Sequence, residues 1–394
     1  MEKLALHGGT PAYTHSHPIW PIGTPADLQA LKEADWFSRG GASCQKLSED
    51  LKTLCETKYA FPVANGTVSL ELILRALGIG YGDEVILPPY TFIATLSSIV
   101  YANATPVFAD IDPETYMLSP KDAESKITPK TKAIVAVAVS GQPCDFEALE
   151  DICRRHQIAL IVDAAQAVGA RYKGRSIGAI GNVASFSCQN TKNLTAGEAG
   201  FITTSDDALA ENLMALLGLT EKEGFTDQGH LLTDVQAALL DRQLQPLPKQ
   251  IALRMKNAAY LDEALKDDPF VSPVKKGDGI DVHAYHLYLF RVNYKKLAEY
   301  GLTREDYLKA LQAEGLNAGP GYMPLYTFAS ICGKAATDRI ECPIDLSPLP
   351  ACEIASRLEG GWFEQFVLLE TPEGIRGVAE AFKKVGRHIE ELKA

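Results

Sequence analysis

Between about Tyr59 and Thr204 the chain alternates short runs that are apolar throughout with longer stretches of helical periodicity. The runs Val85–Leu87, Thr105–Ala109, Ala133–Val139, Ala159–Val162, Val183–Ser187 and Gly200–Thr203 lack the in–out alternation of a half-solvated strand. Strands that are apolar on both faces need cover on both faces, and crossover helices supply it. Helical candidates Val68–Leu77, Phe92–Ala102 and Phe146–His156 fall in the gaps, and Asp207–Leu217 follows the last strand. This pattern predicts an α/β fold on a mostly parallel sheet. Thr233 reads as the N-cap of a helix to Leu244, which runs on past Pro246 and Pro248 into Lys249–Leu265. Beyond about Asp267 come short strands and exposed-looking helices, Thr303–Glu314 and Pro372–Val385, which predict a smaller α+β domain. The division is placed at 1–250 for the N-terminal segment and large domain and 251–394 for the small C-terminal domain.

Composition narrows the function. With 394 residues, 46% of them apolar, the chain has ample core. A formal charge of −12 without any basic run argues against nucleic-acid binding. No stretch approaches the roughly 18 apolar residues of a membrane span, and the start lacks a signal-peptide core. The eight cysteines include no C-x-x-C pair and are expected as reduced thiols, in the cytoplasm. His283 and His286 lie in an expected strand, His283–Val292, where odd spacing turns them to opposite faces. No metal site is expected.

Ligands of open α/β sheets gather at the carboxyl ends of the strands. Asp163 closes the buried run Ile158–Val162 and is followed by Ala164-Ala165-Gln166. The run Val183–Phe186 delivers Ser187 and, five residues on, Lys192, and Glu198 then leads between glycines into Phe201. A partly desolvated lysine is an amine nucleophile placed for a Schiff base with an aldehyde. Alone, such a lysine more often faces solvent, and Asp163 alone could cap a helix. Together they point to pyridoxal phosphate, whose enzymes set a carboxylate against the pyridinium nitrogen. The turn Ala64-Asn65-Gly66-Thr67, between the strand Tyr59–Val63 and the helix from Val68, offers helix-start N–H groups to a phosphate. Pro88-Pro89-Tyr90-Thr91-Phe92 sets aromatics at another strand end, where one could stack on a flat ring. Gly78-Ile-Gly-Tyr-Gly82 follows a helix and precedes a strand, the reverse of a dinucleotide loop.

The order Asn-Gly-Thr, Pro-x-x-Thr-Phe, Asp-Ala-Ala-Gln, Ser-x-x-x-x-Lys and Gly-Glu-x-Gly resembles the DegT/DnrJ/StrS aminotransferases, pyridoxal phosphate enzymes of the aspartate aminotransferase fold (fold type I). The resemblance runs from Leu4-Ala-Leu-His-Gly-Gly-Thr-Pro to the helix Ala379–Val385 and looks closest to the keto-cyclitol (scyllo-inosose) and aminohydroxybenzoate branch. It implies a mostly parallel seven-stranded sheet in the large domain and a homodimer with shared sites. It makes Lys192 the Schiff-base lysine, Asp163 the pyridinium partner, Phe92 the stacking ring and Gln166 a neighbour of the phenolic oxygen. Gly66, Thr67, Val68 and Ser187 would hold the phosphate, and Gln189, Asn190 and Tyr322 the substrate, with Tyr326 as a further wall. The implied reaction moves an amino group from glutamine or glutamate to the ring ketone of a keto-sugar or keto-cyclitol, in aminosugar, aminocyclitol or antibiotic biosynthesis. Lysine, where a dehydratase branch has histidine, favours transamination. The alternatives are a pyridoxal phosphate-binding regulator with reduced catalysis, and a sugar dehydratase. Four departures stand out: Gln189, Ala138 and Gly321 occupy places often held by histidine, and Gly218–Leu232 is shortened. Gly229 and Leu231 fall there roughly where the family's Asn and Arg reach the partner's phosphate site.

Overall fold

The structure, a computed structural model, describes residues 3–16, 19–220, 229–328, 338–341 and 343–393. Its large sheet comprises β1 (Tyr59–Val63), β2 (Glu84–Leu87), β3 (Thr105–Phe108), β4 (Thr131–Val137) and β5 (Ala159–Asp163). A small hairpin, β6 (Arg171–Tyr172) and β7 (Arg175–Ser176), precedes the last two members, β8 (Val183–Ser187) and β9 (Gly200–Thr204). The seven strands lie in the order β1-β9-β8-β5-β4-β2-β3. β8, β5, β4, β2 and β3 pair in parallel, while β9 pairs antiparallel with both β8 and β1. Every residue of β9 is buried, and β5 buries all but Ala159, as unbroken apolar runs require.

Two helices set the site directly. Asn65 caps Gly66–Ala76 by accepting from the Val68 N–H at 2.9 Å, and this helix packs across β8 and β9. Ile93–Tyr101 begins after Phe92 and carries Thr95 on its buried face. The expected strand Ala133–Val139 ends earlier, at Val137. There the Ala138 N–H donates to the Asp163 carbonyl at 3.0 Å, and Ser140, with φ of 61°, turns the chain out of the sheet.

A second sheet contains β10 (Val271–Pro273), β12 (Leu287–Val292), β14 (Gly360–Glu364) and β13 (Gly319–Pro320), all antiparallel. β11 (Ile280–Val282) instead pairs with β6. β12 starts at Leu287, not His283, because Tyr285 takes a left-handed φ of 49° that a strand cannot contain. The helix Leu247–Leu265 joins the two cores. Leu247 and Ile251 pack under the large sheet; Ala258, Leu261 and Leu265 pack under the small one with Ile375, Val378 and Phe382 of Pro372–Arg387.

The amino-terminal segment also belongs to that second core, through Leu4 and Tyr13. Glu314 accepts from the N–H groups of Ala5 (2.7 Å) and Ala12 (2.9 Å) and pairs with Lys384 at 2.9 Å. Lys384 also donates to the Thr10 carbonyl at 2.8 Å. Glu370 accepts from the Tyr13 hydroxyl at 2.6 Å and the Ser16 N–H at 2.8 Å. Gly315 has φ of 95°, and a Cβ there would lie 2.1 Å from the Tyr13 carbonyl, so only glycine lets the strap lie so close.

Candidate active site

The carboxyl ends of β5 and β8 open into a cavity of about 600 Å³ whose far wall comes from the small domain. At its base the buried Asp163 accepts from the Thr95 hydroxyl at 2.8 Å and the Ala165 N–H at 3.1 Å. Burial raises this carboxyl above its ordinary value, while the two donors and Lys192 pull the other way. Gln166 is held at both ends of its amide: the oxygen accepts from the Ser140 N–H at 2.6 Å, and the nitrogen donates to the Tyr322 hydroxyl at 2.9 Å. The positive φ of Ser140 is what aims that N–H.

At the other end lie Asn65, Gly66, Thr67 and Ser187. The first N–H groups of a helix have no intrahelical partner, so those of Gly66 and Thr67 face an anion site. A Cβ on Gly66 would sit 2.8 Å from Ser187 Cβ, so glycine alone lets the helix start approach the end of β8.

Lys192 rides on a tight excursion between β8 and β9. The Cys188 N–H donates to the Ala199 carbonyl at 2.7 Å, and the Lys192 N–H to the Gln189 carbonyl at 2.9 Å. The Gln189 side-chain oxygen accepts from Thr191 N–H (3.0 Å) and hydroxyl (2.8 Å), and Asn193 donates to the Ala284 carbonyl at 2.7 Å. Lys192 Nζ lies 3.4 Å from His286 Nε2. Burial lowers the amine to about 8, against the opposing pull of Asp163 and Glu364. His286 is held well below its ordinary pKa by burial, then by Lys192 and Arg254, so its ring is neutral. Its Nδ1 is buried without a hydrogen-bond partner.

The small domain contributes His286, Leu287, Tyr322, Trp362 and Glu364 to the cavity. Tyr322 meets Trp362 edge-on at 4.9 Å and Tyr90 at 5.6 Å. Burial raises the Glu364 carboxyl, partly offset by Lys192. A separate recess of about 860 Å³ near Glu150 and Arg154 is open surface, with Arg175 paired to Glu150 at 2.8 Å.

Lys192, Asp163, Gly66, Thr67, Phe92, Gln166, Ser187, Gln189 and Tyr322 therefore line one cavity. Two of the expected residues are not among its lining. The Val68 N–H is taken up by the Asn65 cap, and the Asn190 carbonyl instead accepts from Trp20 Nε1 at 3.1 Å. Tyr326 turns away, donating to Glu353 at 2.7 Å. Through its side-chain oxygen Gln189 also braces the lysine loop at Thr191. Residues 221–228 of the shortened segment lie outside the described residues; Leu231 bridges Val63. Glu198, His286, Trp362 and Glu364 were not expected as site residues. Only the glycine bracket of Glu198 and the two-residue spacing of Trp362 and Glu364 gave any local sign.

The model of the DegT/DnrJ/EryC1/StrS aminotransferase family matches residues 24–343. The L-glutamine:2-deoxy-scyllo-inosose aminotransferase of Streptomyces lividus is 33% identical, with all of both chains covered. A putative L-glutamine:3-amino-2,3-dideoxy-scyllo-inosose aminotransferase of Streptoalloteichus tenebrarius is also 33% identical, again over 100% of each chain. The crystal structure of 3-amino-5-hydroxybenzoic acid synthase superposes with a TM-score of 0.81 at 27% identity, covering 94% of this chain and 99% of that one. The fold is accordingly that of the fold type I aminotransferases. With the family match, the full-length relatives and the lysine–aspartate cavity in agreement, the chain belongs to the DegT/DnrJ/EryC1/StrS aminotransferase family and is an aminotransferase.

Proposed function

We propose that the protein binds pyridoxal phosphate and transfers an amino group from glutamine or glutamate to the ring ketone of a keto-cyclitol or keto-sugar, in the formation of an aminocyclitol or aminosugar. One observation carries the reading: Lys192 and Asp163 face a single cavity that ends in the Gly66–Thr67–Ser187 cradle. The residues suit the cofactor. The buried Asp163 carboxylate favours a cationic N–H partner, and glycine at 66 brings the helix start, with its free N–H groups, against Ser187 at the end of β8 to form a cradle for a phosphate. Phe92 and Gln166 flank the space between. When bound, pyridoxal phosphate supplies the carbonyl that takes up the amino group and the ring that withdraws electrons.

The chain's own groups then divide the work. Asp163, fixed by Thr95 and Ala165, holds a proton on the ring nitrogen by charge. Lys192, lowered to about 8, has an appreciable neutral fraction near neutral pH and moves a proton at its Nζ. His286, neutral and 3.4 Å away, accepts from that amine and orients it without adding charge. Gln166 fixes Tyr322 against the acceptor side, with Trp362 excluding water.

We place the enzyme in the cytoplasm as a homodimer. Six described cysteines are free and buried, and no described helix is long and apolar enough to cross a membrane. Phe92 (58% exposed) at the mouth of the cavity and Phe37 (100%) leave large rings uncovered in one chain, as an interface would use. Borohydride treatment with pyridoxal phosphate should fix the label on Lys192, read by peptide mapping; a label on another lysine overturns the assignment. Inosose-type ketones should be aminated in preference to nucleotide-linked keto-sugars under one donor, and the reverse preference overturns the acceptor class.

A further inference from the structure

The loop that carries Lys192 is tied down at its two ends and open between them. At one end the Cys188 N–H donates to the Ala199 carbonyl; at the other Asn193 donates to the Ala284 carbonyl at 2.7 Å. Asn190 and Thr191, the two residues before the lysine, are exposed. Among the described residues one hydrogen bond from outside the loop reaches them: the half-buried Trp20 donates from its indole Nε1 to the Asn190 carbonyl at 3.1 Å. Two residues further on, Gln243 Nε2 donates to the Ile22 carbonyl at 3.3 Å and fixes the segment that presents this indole.

The same indole covers Arg254 of the helix Leu247–Leu265, whose guanidinium lies 5.5 Å from the ring centre. Arg254 is fully buried, and its hydrogen bonds go to the Gln365 side-chain oxygen, not to a carboxylate. The Gln365 N–H donates to the His286 carbonyl at 3.2 Å, and the His286 ring meets Lys192 Nζ at 3.4 Å. Trp20 therefore acts on Lys192 from two directions, at the root of the side chain through Asn190 and at its tip through Arg254, Gln365 and His286. Lysine is a flexible four-carbon stem, so its amine passes a proton between fixed atoms only when root and tip are both held. We propose that Trp20 is a positioning residue for Lys192, its N–H fixing the lysine loop and its ring holding Arg254, and with it His286, behind the amine. The amino-terminal segment thus reaches the reacting centre, although Trp20 does not line the cavity. This inference rests on the transamination proposed above, in which Lys192 moves the proton.

Two substitutions separate the two contacts. Trp20→Phe keeps a ring over Arg254 and deletes the N–H, and Trp20→Ala removes both. Each variant, saturated with pyridoxal phosphate, is given glutamine or glutamate carrying hydrogen or deuterium at Cα, with an inosose-type ketone as acceptor. Turnover per folded enzyme should fall about 10-fold in Trp20→Phe and about 10²-fold in Trp20→Ala, since a misplacement of about 1 Å costs that much. KM for donor and ketone should stay within about 2-fold, and a primary deuterium isotope effect should accompany the loss, marking proton transfer as the step that is slowed. A role confined to stability would lower the thermal midpoint and leave kcat per folded enzyme unchanged, and that result overturns the proposal. A loss carried by KM, or one without an isotope effect, overturns it equally. Trp20→Phe decides the matter if Trp20→Ala does not fold. No reaction of the wild type with either donor would instead defeat the transamination reading, and this inference with it.

Discussion

Lys192 and Lys384 are both drawn out of bulk water, and they are treated in opposite ways. Lys384 sits against Glu314 at 2.9 Å and the Thr10 carbonyl at 2.8 Å, a saturated cluster that ties the amino-terminal strap to the small domain. Among the described residues Lys192 has no carboxylate within ion-pair distance; its amine meets a neutral histidine at 3.4 Å, and two nearby atoms, His286 Nδ1 and Glu364 Oε2, have no hydrogen-bond partner. The same contrast holds for arginine. Arg254, buried and pushed down to about 9, lies over the Trp20 ring and donates to the Gln365 amide oxygen, which Nε reaches at 2.9 Å, while Nη1 has no hydrogen-bond partner among the described residues. Satisfied buried charge holds elements in place, whereas unsatisfied buried charge leaves interaction energy for a ligand.

The comparison breaks first at Lys192. Lys192→Ala should lower turnover by at least about 10³-fold, because nucleophile and proton carrier go together. It should not lower the thermal midpoint of the cofactor-free protein, since a desolvated amine is removed; a melting scan beside a single-turnover assay checks both. Glu314→Gln should do the reverse. It strands Lys384 without its counter-ion and should cost about 3–5 kcal/mol in urea unfolding, with kcat per folded enzyme unchanged.

Asp163→Asn sharpens the picture within the site. The amide keeps the shape and the Thr95 contact but loses the charge, so cofactor should remain while kcat falls by about 10²-fold, or about 2.7 kcal/mol. Wild-type turnover would make Asp163 structural. The smallest effect is on the pH profile of stability. Lys192 titrates at about 8 folded against 10.5 in its ordinary state, so between those values the unfolded chain binds more protons. The unfavourable contribution of Lys192 is therefore full below pH 8 and is relieved as pH rises toward 10.5. Urea unfolding of cofactor-free protein across that window should show a rising slope that Lys192→Met flattens.

Much of this was legible in the chain. Phe146–His156 was read to the residue, because Asp145 and the basic final turn bracket an amphipathic run. Thr233 caps its helix as expected, accepting from Gln236 N–H. Lys192, Asp163 and the Asn65-Gly66-Thr67 turn sit at strand ends, where local pattern and ligand chemistry coincide. His286 and Glu364 were not legible for a physical reason. Their place follows from the antiparallel register of β12 with β14, a pairing between segments about seventy residues apart that no local pattern encodes. That Trp20 would donate to the Asn190 carbonyl was not legible either, because a loop's sequence does not say which backbone group a distant indole will claim.

The strap has one more consequence. Residues 3–16 are held by Glu314, Glu370 and the Gly315 channel, contacts made to parts of the chain some three hundred residues away. A nick between this segment and the large domain would leave those contacts intact, so the severed piece should stay docked as a non-covalent subunit. A protein lacking the segment would present a ready receptor for it, with two carboxylates waiting for backbone N–H groups. Residues 3–16 supplied as a separate peptide should therefore act in trans as a stabilising ligand for the small domain.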